Sequence, residues 1–388
     1  MRIINARVFP VDRPVIENGY VDIEAGRIRA VGAMPPPGEA EEILDAGGGW
    51  LFPGFVDAHT HIGMWEDGLG FEGDDGNEDT DPATPQLRAV DAINMQDRCF
   101  AEAAAAGVTT VLTGPGSANP IGGQFCAVKT YGARVDDAVI MAPVAMKMAL
   151  GENPKSTYHE KNQTPITRMA TAAIIREQLR QAQRYDADKR AAAEDEDVDE
   201  PDFDAKHEAL LPVVRGELPV HFHAHRLDDI FTARRIAEEF HLRYVIVHGT
   251  QGHQAPDLLA EDNIEVLAGP LGGDRANPEL RDLTPANPAI LHKAGVRLAI
   301  ITDHPVIPVQ YLPLCAGLAV REGLPYDEAL RAITLTPAEI AGIADRVGSI
   351  TPGKDADLVL FDADTDPLTV AAKPAAVVAG GKWLPLRK

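Results

Sequence analysis

The stretch PGFVDAHTHIG, residues 53–63, decides the reading of the fold. It runs apolar and then places His59 and His61 two residues apart. On a strand, side chains at i and i+2 share a face, so both imidazoles can reach one metal ion. Gly63 then lets the backbone turn away behind the pair. An apolar strand that ends on functional side chains is what a (β/α)8 barrel presents at its C-terminal face.

Working outward, further apolar strands are predicted at 108–114, 124–132, 144–151, 218–225, 243–249, 264–269 and 296–303. Helical stretches, such as 95–107 and 228–240, lie between several of them. This alternation predicts an α/β fold with a (β/α)8 TIM barrel over 53–346. The excursion at about 153–216 is longer than an ordinary loop and holds a helical piece and the acidic run 194–204, so it is read as an insertion near the mouth. The two ends have a different texture, with short alternating strands around glycine turns. Each end alone has too few strands for a core. Residues 1–52 and 347–388 are therefore expected to build one small composite β-sandwich domain.

A chain of 388 residues suits one barrel plus a minor second domain. It contains no run of roughly 18 apolar residues of the kind that spans a bilayer, and its start, MRIINARVFPVDRPVI, lacks the layout of a secretory signal. Cys99, Cys126 and Cys315 are few and widely spaced, which suits a reducing cytoplasm better than a disulfide framework. A formal net charge of -23 argues against nucleic-acid binding. The acidic run reads as a solvated loop. The expectation is a cytoplasmic homo-oligomer acting on a small molecule, with neither membrane nor nucleic acid as partner.

Beyond the first strand, PVHFHAHR turns His221, His223 and His225 to one side. Buried imidazoles need polar partners, so at least one of the three is expected to bind a metal. VIVHGTQGH ends an apolar strand on His248, and VRLAIITDHP ends another on Asp303, either a helix N-cap or a functional group. Lys147, inside VAMKMALGENP, is costly to bury as an ammonium. GPGSANPIGGQ, 114–124, lacks the spacing of a phosphate loop and reads as a structural turn.

Two histidines, one, one, and an aspartate, spread over four strands of one predicted barrel, resemble the amidohydrolase superfamily. VGSITPGKDADLVLFD at 347–362 matches its closing segment. The resemblance implies that His59 and His61 are the strand-one H-x-H pair, with His223 the strand-five ligand and His248 the strand-six ligand. It makes Asp303 the strand-eight aspartate, both ligand and catalytic base. Within the branch related to imidazolonepropionases and Xaa-Pro or Xaa-Arg dipeptidases, Lys147 looks like the strand-four lysine that bridges two metals as a carbamate. Glu152 is the competing bridge, and a site with one metal and no bridge is the third possibility. His225, Arg275 and His304 are placed to touch substrate, an arginine suiting a carboxylate.

The implied cofactor is one or two divalent metal ions, zinc or else manganese, iron or nickel. The implied reaction is hydrolysis of a carbon–nitrogen bond in an amide, cyclic amide or dipeptide by metal-activated water. Asp303 would take the water proton and deliver it to the leaving nitrogen. An imidazolonepropionase-like ring opening is the alternative. A deaminase is disfavoured, since those usually carry glutamate where this chain has His225. An inactive structural relative is disfavoured because every ligand position is filled. Fold does not settle the substrate.

Overall fold

The structure, a computed structural model, describes residues 1–384. The N-terminal segment forms β1 (Arg2–Val8), β2 (Ile16–Glu24), β3 (Arg27–Ala33), β4 (Ile43–Asp45) and β5 (Trp50–Pro53). A second set follows: β6 (Phe55–Thr60), β7 (Val108–Thr113), β8 (Ile121–Lys129), β9 (Val139–Ala149), β10 (Val220–Ala224), β11 (Tyr244–His248), β12 (Val266–Ala268) and β13 (Leu298–Ile300). Near the C-terminus come β14 (Leu358–Phe361), β15 (Ala376–Ala379) and β16 (Lys382–Trp383).

Strands β6 to β13 form one 8-stranded sheet in chain order, a nearly closed barrel. Apart from the first five residues of β9, their residues are nearly all buried, as expected of strands covered on both faces. The ends of the sheet meet at the C-terminal side, where Asp303 N donates to His59 O (3.2 Å) and His61 N to His304 O (2.9 Å). Asp57 on β6 reinforces the seam by accepting from Thr302 N (3.1 Å) and Thr302 Oγ1 (2.6 Å).

One strand departs from the expected pattern. β8 runs antiparallel to both β7 and β9, whereas the other barrel pairs are parallel. The cause is connection length. Only residues 114–120 join β7 to β8 and only 130–138 join β8 to β9. A parallel crossover takes a dozen or more residues, so links this short can only reverse the chain.

Strands from both ends join one further sheet, ordered β16-β15-β14-β5-β1-β2-β3 with β4 beside β1. They hydrogen-bond as a single sheet, where the sequence led to an expectation of a sandwich. Its apolar cluster mixes the two ends, with Ile3, Val21, Ile23 and Leu51 against Ile350, Leu358 and Val378. Gly54 marks the passage from this sheet to the barrel. A Cβ there would lie 2.0 Å from Thr109 Oγ1, so only glycine lets the chain through. The excursion after β9 is helical, with Glu152–Glu160, Arg168–Glu194 and Ala205–Val214. Among the described residues, no helix is long and apolar enough to cross a membrane.

Candidate metal centre

Two groups of donor atoms gather at the C-terminal ends of the barrel strands. His59, His61 and Asp303 make one, and His223, His225 and His248 the other. Within each group, one donor atom per residue lies within 4.8 Å of the others.

The first group begins on β6. His61 Nδ1 lies 2.7 Å from the carbonyl of Gly114. A carbonyl only accepts, so Nδ1 carries the proton and Nε2 is left with a free lone pair. That Nε2 is 3.2 Å from Asp303 Oδ1, and His59 Nε2 is 3.6 Å from the same oxygen. Burial pushes the Asp303 carboxyl up, but the imidazoles of His248 and His61 and the amine of Lys147 outweigh it and hold it down at about 2. The residue also adopts φ 54°, a strained backbone for a non-glycine side chain that turns the chain at the mouth. Lys147 is fully buried on β9, opposite His221 in the register. Its Nζ is 3.0 Å from His59 Nε2, and burial lowers the ammonium to about 7.

In the second group every ring is held by its Nδ1. His223 Nδ1 meets Ser117 Oγ at 2.9 Å, His225 Nδ1 meets Thr250 Oγ1 at 2.7 Å, and His248 Nδ1 donates to Gly269 O at 2.8 Å. Burial lowers the pKa of all three, most strongly for His223 and His225, which stand as neutral imidazoles. His223 Nε2 is buried and has no partner among the described residues. His248, like Asp303, has a left-handed backbone, φ 75°.

A cavity of about 800 Å³ opens above both groups, and His61, His223, His225 and Asp303 reach it together with Trp65. The helix Glu152–Glu160 contributes Asn153, Ser156, Thr157 and Glu160 to its wall.

The structure brings His59, His61, His223, His248, Asp303 and Lys147 to one place and leaves three other expectations apart. Arg275 is exposed and donates to Leu283 O at 2.7 Å, while its neighbours Asp274 and Ala276 line the cavity instead. His304 points into the seam, where its Nδ1 accepts from Val309 N at 3.3 Å, and burial lowers it to about 4. Glu152 faces a neighbouring cavity and accepts from Glu279 N, away from either imidazole group. His225, expected at the substrate, lines the cavity but stands within the second donor group.

Sequence reasoning missed Asp57 and Ser117. Asp57 was visible as an acid inside an apolar strand two residues before His59. Ser117 lies in the glycine-rich turn and offered no signal of its own, because its role depends on where the turn folds.

The donor set fits a divalent metal: imidazoles, a carboxylate and a buried His223 Nε2 that has no partner among the described residues. The amidohydrolase family profile matches residues 50–384. Amidohydrolase tasK of Hapsidospora irregularis is 32% identical over 94% of this chain, which spans 39% of that protein. Imidazolonepropionase of Acidiphilium cryptum (strain JF-5) is 30% identical, with 91% of this chain and 90% of the relative covered. The crystal structure of an amidohydrolase from Thermotoga maritima MSB8 superimposes with a TM-score of 0.95 at 42% identity, covering 100% of both chains. The chain therefore belongs to the amidohydrolase family of metal-dependent hydrolases.

Proposed function

We propose that this protein hydrolyses a carbon–nitrogen bond in an amide, cyclic amide or dipeptide, with Asp303 as the catalytic base. The observation that carries the reading is the convergence of His59, His61 and Asp303 beneath an open cavity. One or two divalent ions, zinc in this reading, would be held by these residues together with His223, His248 and Lys147. Bound there, the metal supplies Lewis acidity and makes hydroxide accessible near neutral pH. Asp303 is suited to accept the water proton, being ionised, half-buried and 3.2 Å from His61. It then returns that proton to the leaving nitrogen.

Lys147 is read as a carbamate bridging two ions. Support comes from its depressed pKa of about 7, since the neutral amine is the form that adds carbon dioxide. The terminal sheet, residues 1–52 and 347–388, is read as a small domain beside the barrel domain 53–346, supported by its own apolar cluster. The last residues, 385–388, lie outside the described part of the chain. The three cysteines are buried and unpaired, which supports a cytoplasmic setting.

The cavity wall carries Glu66, Asp67, Glu160 and Asp274 and, among the described residues, no lysine or arginine. That favours a neutral or cationic substrate. An imidazolonepropionase-like ring opening is the second reading, carried by the 30% identical relative. The test is metal analysis joined to a screen of N-acyl amino acids, dipeptides and cyclic amides. His59→Ala with His61→Ala should lose bound metal and turnover together. A double variant that kept both would overturn the proposal.

A further inference from the structure

The loop after β12 has little regular structure of its own. Between β12 and the helix Asn287–Lys293 it forms one short turn, Pro278–Leu280. Yet Asp274, Ala276, Asn277 and Leu280 of this loop line the cavity above the donor groups. A wall built from such a loop has to be held by something outside it.

Glu279 is where it is held. Its side chain lies behind the wall, beside the neighbouring cavity, and the residue is only 3% exposed. Arg168, the first residue of the helix Arg168–Glu194, donates from Nη2 to Glu279 Oε1 at 2.7 Å. Its Nε donates to both oxygens of Asp229 at 3.0 Å. Asp229 belongs to the helix Leu227–Phe240 and is buried as well. Glu279 N donates in turn to Glu152 Oε2 at 3.4 Å. Gly151 sits against both carboxylates: a Cβ there would lie 2.7 Å from Glu279 Oε1 and 3.1 Å from Asp229 Oδ2. One guanidinium therefore ties the loop to two helices, beside the start of a third.

The charges show why that guanidinium matters. Burial and the neighbouring Asp229 push the Glu279 carboxyl up to about 7, against the pull of Arg168. Glu279 Oε2 has no partner among the described residues. Without Arg168, two buried carboxylates would face each other in a medium of low polarity. Asp229 is fixed within a helix, so the group that can retreat is Glu279, and the loop goes with it.

We propose that Arg168 and Glu279 form a latch that positions the cavity wall, holding the loop 269–286 so that Asn277 and Leu280 meet the substrate in a fixed place. Neither residue lines the substrate cavity, so both act through others. The inference rests on the reading above only in taking this cavity as the place where substrate binds.

The first arm of the experiment needs no substrate. Amide hydrogen exchange is followed across residues 270–286 in full-length, zinc-loaded protein. Arg168→Met should accelerate exchange there at least about 10-fold, because a buried pair has lost its cation. Adding Glu279→Gln to that variant should restore much of the protection, since the repelling charge goes and the shape stays. A role for Arg168 in packing alone gives no such rescue. If far-UV circular dichroism shows that Arg168→Met does not fold, Arg168→Lys takes its place. An ammonium cannot span both carboxylates as the fork does, so exchange should still quicken and Glu279→Gln should again slow it. The second arm uses the N-acyl amino acid, dipeptide or cyclic amide that gives turnover in the screen. Its KM should rise about 10-fold in the Arg168 variant with kcat within about 3-fold, the pattern of lost uniform binding. Bound metal should be unchanged.

Loop exchange unaffected by the loss of Arg168 would overturn the inference, as would a double variant as loose as the single one. A kcat and metal content that fall while KM stays constant would overturn it too. Wild type without turnover on any of these compounds would instead overturn the hydrolase reading, and the exchange arm would still decide the latch.

Discussion

At the residue scale, Asp57 shows how much a buried side chain behind the ligands contributes. Its carboxylate accepts from His59 N (3.1 Å) as well as from Thr302 N and Oγ1, and so clamps the first barrel strand to the last. Burial raises its pKa to about 7, which the three donors only partly offset. Replacing it by alanine leaves those donors buried without an acceptor. Asp57→Ala is expected to lower stability by about 3 kcal/mol, as read from urea denaturation. Because the clamp fixes the separation of His59 and Asp303, metal affinity should also fall about 10- to 100-fold. An unchanged metal titration in a folded variant would show that the seam does not position the ligands.

At the scale of elements, pairing explains what each end of the chain requires of the other. β14 is antiparallel to β5, with Val359 opposite Phe52 and Leu360 opposite Leu51, and β5 in turn is parallel to β1. Removing residues 350–388 deletes β14 to β16 and uncovers the edge of β5. Amide exchange across residues 1–50 should then accelerate, most of all in the segment around Trp50. Equal protection with and without those residues would mean that the N-terminal strands are stable alone. The reversed β8 belongs to this scale too. Its direction was already written in the short links on either side of it. The count of eight strands concealed it, because apolar periodicity carries no information about direction.

For the whole molecule, the question is what joins the terminal sheet to the barrel. Aromatic side chains supply part of the answer: Phe52 of the terminal sheet, stacked on Phe9 at 4.4 Å, lies 6.5 Å from Phe55 of the first barrel strand. The rest is ionic. Lys129, at the end of β8, reaches Asp357 at 2.5 Å and Asp355 at 3.0 Å, all three buried. Tyr131 donates to the other oxygen of Asp357 at 2.8 Å, and Arg346 pairs with Asp355 at 2.8 Å. A cation removed from between two buried carboxylates leaves them repelling each other in a medium of low polarity. Lys129→Met should therefore cost about 3 kcal/mol or more in denaturant unfolding. A loss below about 1 kcal/mol would assign the junction to the aromatic contacts alone.

Sequence by itself was enough for the strand that carries His59 and His61, the alternation into a barrel, and the family pattern of His223, His248 and Asp303. Each of these is a local matter: the i, i+2 rule and apolar periodicity act over a few residues, and the motifs keep their spacing. Tertiary structure alone decided the roles of residues whose partners lie far away in the chain. Ser117 reaches His223 across 106 residues, and Asp57 reaches Thr302 across 245. Arg275 looked apt for a substrate because of its charge, and His304 because of its place beside a ligand. A carbonyl claims the first and a backbone N–H claims the second. His225 differs from its neighbour His223 by nothing that alternation can detect. Only the neighbouring strand β11, bringing His248 against it, makes the three imidazoles a group. Such meetings depend on barrel closure, which sums contacts along the whole chain and leaves no mark in any one segment.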